Sequence, residues 1–221
     1  MTEITTLLFD IGDVLIDIHW DKGFSKMLGH MKDEDGRDLT LEEISNKLHP
    51  ASGGHGNAFD NFGVGKTNRV EFLQTCAERT GYKGDHTLLG LALTTIFEPL
   101  NERVALLNRL IADGKYNVAL VSDTNEMHIT YIEDYIPSIF QNIPVEKRFY
   151  SFNFGLQKRF GKSIYEYVLD KLSIEPQNAL MIDDRKENKI GADEIGLNFL
   201  LIQKEENLEL ALRSEPYNLK F

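Results

Sequence analysis

Ile4-Thr5-Thr6-Leu7-Leu8-Phe9 is a short apolar, β-branched run that stops abruptly at Asp10. A run of that length and composition reads as a buried strand whose carboxyl end delivers an acid. Working outward, the pattern recurs. Residues 118–121 form an apolar run ending at Ser122-Asp123, and residues 179–182 one ending at Asp183-Asp184. Residues 149–152 and 199–202 are two further strand candidates. Helical spacings lie between them. Val104, Leu107, Leu110 and Ile111 share a face, after Pro99 as a helix start and before Gly114 as a stop. Met127-Tyr131-Tyr135 precedes Pro137, Ile164-Val168-Leu172 recurs every four residues, and a short helix runs to Ile195 before Gly196. Strands alternating with helices imply right-handed crossovers and a parallel sheet. The fold class is therefore α/β, a Rossmann-like three-layer core.

Residues 18–97 break the alternation. Leu41-Ile44-Leu48, with Thr40 as N-cap, and Val70-Leu73-Ala77, with Asn68 as N-cap, have helical spacing. Ser52-Gly53-Gly54-His55-Gly56 between them is a loop by composition. No convincing strand occurs between about Asp21 and Thr95. The expected organisation is a core of residues 1–17 and 98–221 with a helical insertion at 18–97.

The chain has 221 residues and a formal net charge of -11. Such an acidic balance argues against a nucleic-acid partner, which needs clustered positive charge. It leaves room for a small anionic substrate at a locally positive site. The single cysteine, Cys76, rules out a disulfide framework and any CxxC metal site. The late apolar stretch 195–202 is broken by Gly196 and Asn198 and falls far short of the ~20 residues that span a bilayer. The start, Met1-Thr2-Glu3-Ile4, lacks signal-peptide features. The expectation is a cytoplasmic protein with no membrane partner.

In a parallel sheet, ligands bind beyond the carboxyl ends of the strands. The sequence sends Asp10, Ser122 and Asp183-Asp184 to three such ends. Asp10, Asp183 and Asp184 together make a hard-oxygen cluster suited to Mg²⁺. A carboxylate beside such a cation can attack phosphorus. Ser122 offers a hydroxyl and opens a helix whose N–H groups favour anions. Lys158 can supply positive charge.

Leu8-Phe9-Asp10-Ile11-Gly12-Asp13-Val14-Leu15, Val121-Ser122-Asp123-Thr124-Asn125, Gly155-Leu156-Gln157-Lys158 and Met181-Ile182-Asp183-Asp184 follow one another in the order of four motifs. In this the chain resembles the haloacid dehalogenase (HAD) superfamily, and the insertion falls where that superfamily places its helical C1 cap. Among its branches the sequence is most similar to phosphatases with an FDxGNV-type first motif, which include a bacterial glucose-1-phosphatase. The resemblance implies Asp10 as the nucleophile that becomes an aspartyl phosphate. It implies Mg²⁺ held by Asp10, the Gly12 carbonyl and Asp184 as the main acid of the fourth motif, with Asp183 a ligand directly or through water. Ser122 and the Asp123 amide would bind the phosphoryl group, and Lys158 would bridge nucleophile and phosphate. The expected function is hydrolysis of a small phosphorylated metabolite, with a sugar phosphate as the example the branch suggests.

Two departures stand out. The superfamily's usual general acid/base is an aspartate two residues after the nucleophile, where this chain has Gly12. Asp13, one residue on, is a candidate substitute. The third motif commonly reads Lys-Pro, whereas Lys158 is followed by Arg159-Phe160-Gly161, and Arg159 could compete for the lysine's role. A metal-independent dehalogenase, and a catalytically weak phosphate- or protein-binding module, are the alternatives. Ser122 also reads as a simple helix cap, and Trp20 reads first as packing. Gly63-Val64-Gly65-Lys66-Thr67 has Asp60 where a phosphate-binding loop needs its first glycine, so it reads as a turn. His49 and His55 lack the spacing of a zinc site.

Overall fold

The computed structural model describes residues 3–48 and 58–221. Four residues that cannot avoid burial, Thr6–Phe9, form strand β1, every one of them buried. β1 lies at the centre of a five-stranded parallel sheet with β4 (Asn117–Ser122) on one side and β6 (Ala179–Asp183) on the other. β5 (Arg148–Tyr150) and β7 (Asn198–Leu201) complete it in the order β5-β4-β1-β6-β7. Thr6 pairs with Asn117 and with Ala179, so the three acid- or hydroxyl-bearing strand ends lie side by side in register.

Alternate residues of these strands feed opposite layers, as the two-residue period requires. Leu7, Phe9, Val118, Leu120, Leu180 and Ile182 pack with Leu107 and Leu110 of α6 (Asn101–Asp113) and Ile129 and Ile132 of α7 (Glu126–Tyr135). Leu8, Ala119, Val121 and Met181 pack with Ile164, Tyr165 and Val168 of α9 (Ser163–Leu172) and Ala192 of α10 (Lys186–Glu194). α8 (Ser151–Phe154) and α11 (Leu208–Arg213) close the chain's remaining turns. Burying each large aliphatic side chain of these layers stabilises the fold by about 1.5–3 kcal/mol relative to exposure.

A third apolar cluster belongs to the helices of the inserted region: α1 (Trp20–Ser25), α2 (Leu41–Leu48), α3 (Ala58–Gly63), α4 (Arg69–Thr80) and α5 (His86–Thr94). Phe24, Ile44, Leu48, Phe59, Phe72, Leu73, Leu89 and Leu93 form it, joined by Met127 of α7. α4 starts on a capping box in which the Asn68 side chain accepts from Glu71 N while Glu71 takes the Asn68 N–H. Thr40 and Glu43 make the same exchange at α2. The apolar face of α4 is rotated from the one expected. Val70 is 75% exposed, and Phe72, Leu73, Cys76 and Ala77 are the buried side chains.

Three expectations need correction. Phe149–Phe152 is not one strand; β5 ends at Tyr150 and Ser151 opens α8, its hydroxyl donating to the Gly63 carbonyl at 2.6 Å while accepting the Thr124 N–H at 3.0 Å. Pro99 does not begin a helix; it ends β3 (Phe97–Pro99). β3 pairs antiparallel with β2 (Ile16–Ile18), and this two-stranded ribbon lies where the sequence shows only loose apolar character. The boundaries read at 17/18 and 97/98 fall inside the ribbon, which leads the chain out of the core and back. Residues 49–57, with His49, His55 and the glycine loop, lie outside the described residues. The expected turn is residues 64–67, between the end of α3 at Gly63 and the Asn68 cap, and Gly65 lies so close to the core that a Cβ would meet the Phe152 carbonyl oxygen at 2.5 Å.

Candidate active site

At the carboxyl edge of the sheet a cleft of about 310 Å³ opens between the strand ends and the inserted helices. Asp10, Gly12, Asp13, Ser122, Asp123, Lys158 and Asp184 all line it. Asp10 continues the β1 ladder by donating its N–H to the Ile182 carbonyl at 2.9 Å, so strand pairing fixes its position. Carboxylate oxygens of Asp10, Asp183 and Asp184 lie within 4.8 Å of one another.

Lys158 is fully buried, and its ammonium sits between two of these acids, 2.5 Å from Asp183 Oδ2 and 3.0 Å from Asp10 Oδ1. Burial opposes a charge there, but the carboxylates of Asp10, Asp183 and Asp123 outweigh it and raise the lysine pKa above its ordinary range. Burial first, then the charges of Asp183 and Asp184, push Asp10 up to about 8 against the opposing pull of Lys158. Burial and Asp183 raise Asp184 to about 6.

The two acids of the fourth motif differ. Asp183 is fully buried, and its oxygens receive Lys158 Nζ, Asn188 Nδ2 at 2.9 and 3.0 Å, and the Arg185 N–H at 2.8 Å. Asp184 is only partly buried and faces the cleft. Asp183 is therefore taken up by protein donors, and Asp184 is the acid of the pair left open to the cleft. Beside them Asn188 Oδ1 is buried with no hydrogen-bond partner among the described residues. Three carboxylates and a bare amide oxygen against one ammonium leave excess negative charge and hard-oxygen donors. That set suits a hard divalent cation.

The second-motif loop delivers Ser122, 4% exposed at the end of β4. Helix α7 follows, capped by Asn125 Oδ1 on the His128 N–H at 2.9 Å. Not every amide here is available, because Thr124 gives its N–H to Ser151 Oγ. The Asp123 carboxylate turns to the Lys158 N–H, at 3.0 and 3.1 Å, and so anchors the lysine loop. Gly12 is accounted for by its neighbour: a Cβ there would lie 3.0 Å from Ile18 Cδ1, so the β2 side chain fills the space a larger residue would need. Asp13 adopts φ 49°, accepts the Ile18 N–H on Oδ1 at 3.3 Å, and is raised by burial. Arg159 does not compete with Lys158; it points to the inserted helices and binds Asp60.

The sequence matches no family model. Among solved structures it is similar to a HAD family enzyme from Bacteroides thetaiotaomicron in complex with magnesium and inorganic phosphate, with a TM-score of 0.75 and 20% identity over 95% of this chain and 100% of that one. A HAD-like family hydrolase from Porphyromonas gingivalis gives 0.73 and 20% over 96% and 97%. The chain has the haloacid dehalogenase fold. The same fold is shared with the L-2-haloacid dehalogenase from Xanthobacter autotrophicus with chloropropionic acid covalently bound, at a TM-score of 0.63 and 12% identity over 95% and 81%.

On this haloacid dehalogenase fold, several cleft residues were not legible in the sequence. Phe59 and Phe97 line the wall with His128, beside Trp20, which the sequence does single out and reads first as packing; ring centroids are 5.3 Å apart for Trp20–Phe59 and 5.0 Å for Phe97–His128. Asp60, Gln157 and Arg185 join them. Arg185 was the most accessible to reasoning, since it directly follows the acidic pair. Phe59 and Asp60 carried no signal, because only tertiary docking of α3 brings them to the cleft.

Proposed function

We propose that this protein is a Mg²⁺-dependent phosphatase that hydrolyses a small organic phosphate monoester through an aspartyl phosphate on Asp10. The observation that carries the reading is the buried Lys158 ammonium set between Asp10 and Asp183, with Asp184 open to the same cleft. Asp10 and Asp184, with the Gly12 carbonyl, would hold the cation, which supplies charge neutralisation that lets an anionic carboxylate approach a phosphate. The solved enzyme of this fold that holds magnesium and inorganic phosphate supports the assignment.

An Asp10 oxygen attacks phosphorus as the bond to the alcohol oxygen breaks, and water then cleaves the acyl phosphate. Lys158 keeps Asp10 in place and balances charge on the phosphoryl oxygens. Ser122 and the Asp123 amide bind those oxygens. The proton for the leaving alcohol comes from Asp13, which lines the cleft, or from bound water or a group of the cap. Residues 18–97 act as a cap that excludes bulk water and selects the leaving group, with a phosphorylated metabolite as partner.

Phosphate release from a mixed ester panel, with Mg²⁺ and with chelator, tests the reading. Metal-dependent turnover lost in Asp10→Asn is the expected result. Metal-independent chloride release from 2-haloacids would replace it with the dehalogenase reading. Ligand binding with neither activity would leave a binding module.

A further inference from the structure

Two arginines stand on the cleft wall beside the acidic cluster: Arg159, next to Lys158, and Arg185, next to Asp184. The backbone holds their segments together. A Cβ on Gly191 of α10 would lie 2.4 Å from the Gly161 carbonyl carbon, so α10 is seated directly on the turn that carries Arg159. Arg159 is oriented by Asp60 of α3 and shares its Nη2 with Gln157 Oε1 at 3.3 Å. Burial, then the nearby charge of Arg185, lowers the Arg159 pKa from its usual value. The Arg185 side chain is exposed; its backbone N–H is engaged by Asp183, but among the described residues its guanidinium forms no ion pair.

Arg159 is matched by Asp60, whereas Arg185 brings to the cleft a guanidinium with no ion pair among the described residues, a locally placed cation on an otherwise acidic protein. The β2–β3 side of the cleft is apolar by contrast, with Ile18, Phe97 and Trp20. A guanidinium presents coplanar N–H donors that match the paired oxygens of a carboxylate or phosphate. Such a group can receive an anion that enters the cleft, and the Lys158 end is already assigned to the reacting phosphate.

We propose that Arg159 and Arg185 form a subsite for a second anionic group, so that the preferred substrates are phosphate monoesters whose alcohol also bears a carboxylate or another phosphate. The inference rests on the phosphatase reading and names its substrate class. Asp60 and Gln157 hold Arg159 in place, Arg185 supplies a guanidinium that no ion pair occupies among the described residues, and the apolar side takes the carbon skeleton.

The test compares kcat/KM within matched pairs: 3-phosphoglycerate against glycerol 3-phosphate, and glucose 1,6-bisphosphate against glucose 1-phosphate. The expected result is a preference of about tenfold or more for the doubly anionic member of one pair, the scale of a charge-assisted hydrogen bond. The favoured pair then says whether the second group is carboxylate or phosphate. Arg185→Gln should collapse that ratio toward one, and Arg185→Lys should retain part of it. A preference that stays within about threefold of one in both pairs, or that is unchanged in Arg185→Gln, overturns the subsite while leaving the phosphatase reading intact. If no ester turns over, the phosphatase reading fails and calorimetry decides the subsite. Phosphonoacetate binding about tenfold tighter than methylphosphonate in the wild type, with the advantage lost in Arg185→Gln, sustains it; equal affinities overturn it.

Discussion

Cation uptake at the acidic cluster should release protons, and the structure sets how many. Asp10 is pushed up to about 8, by burial and then by Asp183 and Asp184, and Asp184 to about 6, by burial and then by Asp183. Both must be ionised to ligate. At pH 7 Asp10 is mostly protonated and Asp184 mostly ionised, so binding of one ion should expel about one proton. From pH 6 to pH 8 the doubly ionised cluster grows about a hundredfold, so Mg²⁺ affinity should tighten about a hundredfold, or about 2.7 kcal/mol. The metal-free fold follows the opposite sign. A carboxyl whose folded pKa is raised stabilises fully below its unfolded value near 4, and that contribution is lost as pH rises through the folded value of about 8. Thermal stability in chelator should therefore fall from pH 5 to pH 8, while the increment produced by Mg²⁺ grows. Calorimetry in two buffers of different ionisation enthalpy counts the protons, and thermal unfolding with and without Mg²⁺ reads the opposed trends. A dissociation constant flat across this range, with heats independent of buffer, would refute the reasoning.

Lys158→Met should destabilise the metal-free protein by about 3–5 kcal/mol at pH 8, because it leaves buried carboxylates unpaired; denaturant melts should show a smaller loss at pH 5, where Asp10 is protonated. Gly191→Ala drives a methyl into the Gly161 backbone at 2.4 Å, and should cost about 1–3 kcal/mol and lower turnover by displacing the lysine loop, measured by melting and kcat on any accepted ester. Gly12→Asp meets only the flexible tip of Ile18 at 3.0 Å, so urea unfolding should show a loss under about 2 kcal/mol that the added change Ile18→Ala relieves. Ser151→Ala removes the hydroxyl that joins Gly63 to Thr124, and should lose about 1–3 kcal/mol in the same assay.

The core was legible because its code is local. Runs such as Leu7-Leu8-Phe9-Asp10 and Met181-Ile182-Asp183-Asp184 declare both a buried strand and what stands at its end. Glycine stops with positive φ, such as Gly114 and Gly196, marked the helix ends correctly. The ribbon of β2 and β3 was not legible, because three-residue strands lack a period long enough to read and pair only across the inserted helices. In the site, chain order brought out Asp10, Lys158 and the acidic pair. The resemblance sets Asp184 ahead of Asp183, but the reason, that Asn188 and Lys158 occupy the Asp183 oxygens, is a tertiary fact. The partnership of Arg159 with Asp60 joins segments nearly a hundred positions apart, beyond any spacing rule.

The central seat of β1 has a consequence for biosynthesis. Thr6 finds its two neighbours only at Asn117 and Ala179, so the first strand made has no complete berth until the sixth leaves the ribosome. Until then its apolar residues must be shielded in a nascent chain of high contact order, a slow and aggregation-exposed route to the fold. Translation arrested before β6 leaves out Asp183 and Asp184, so the acidic cluster, and the chemistry proposed for it, arrives late and all at once.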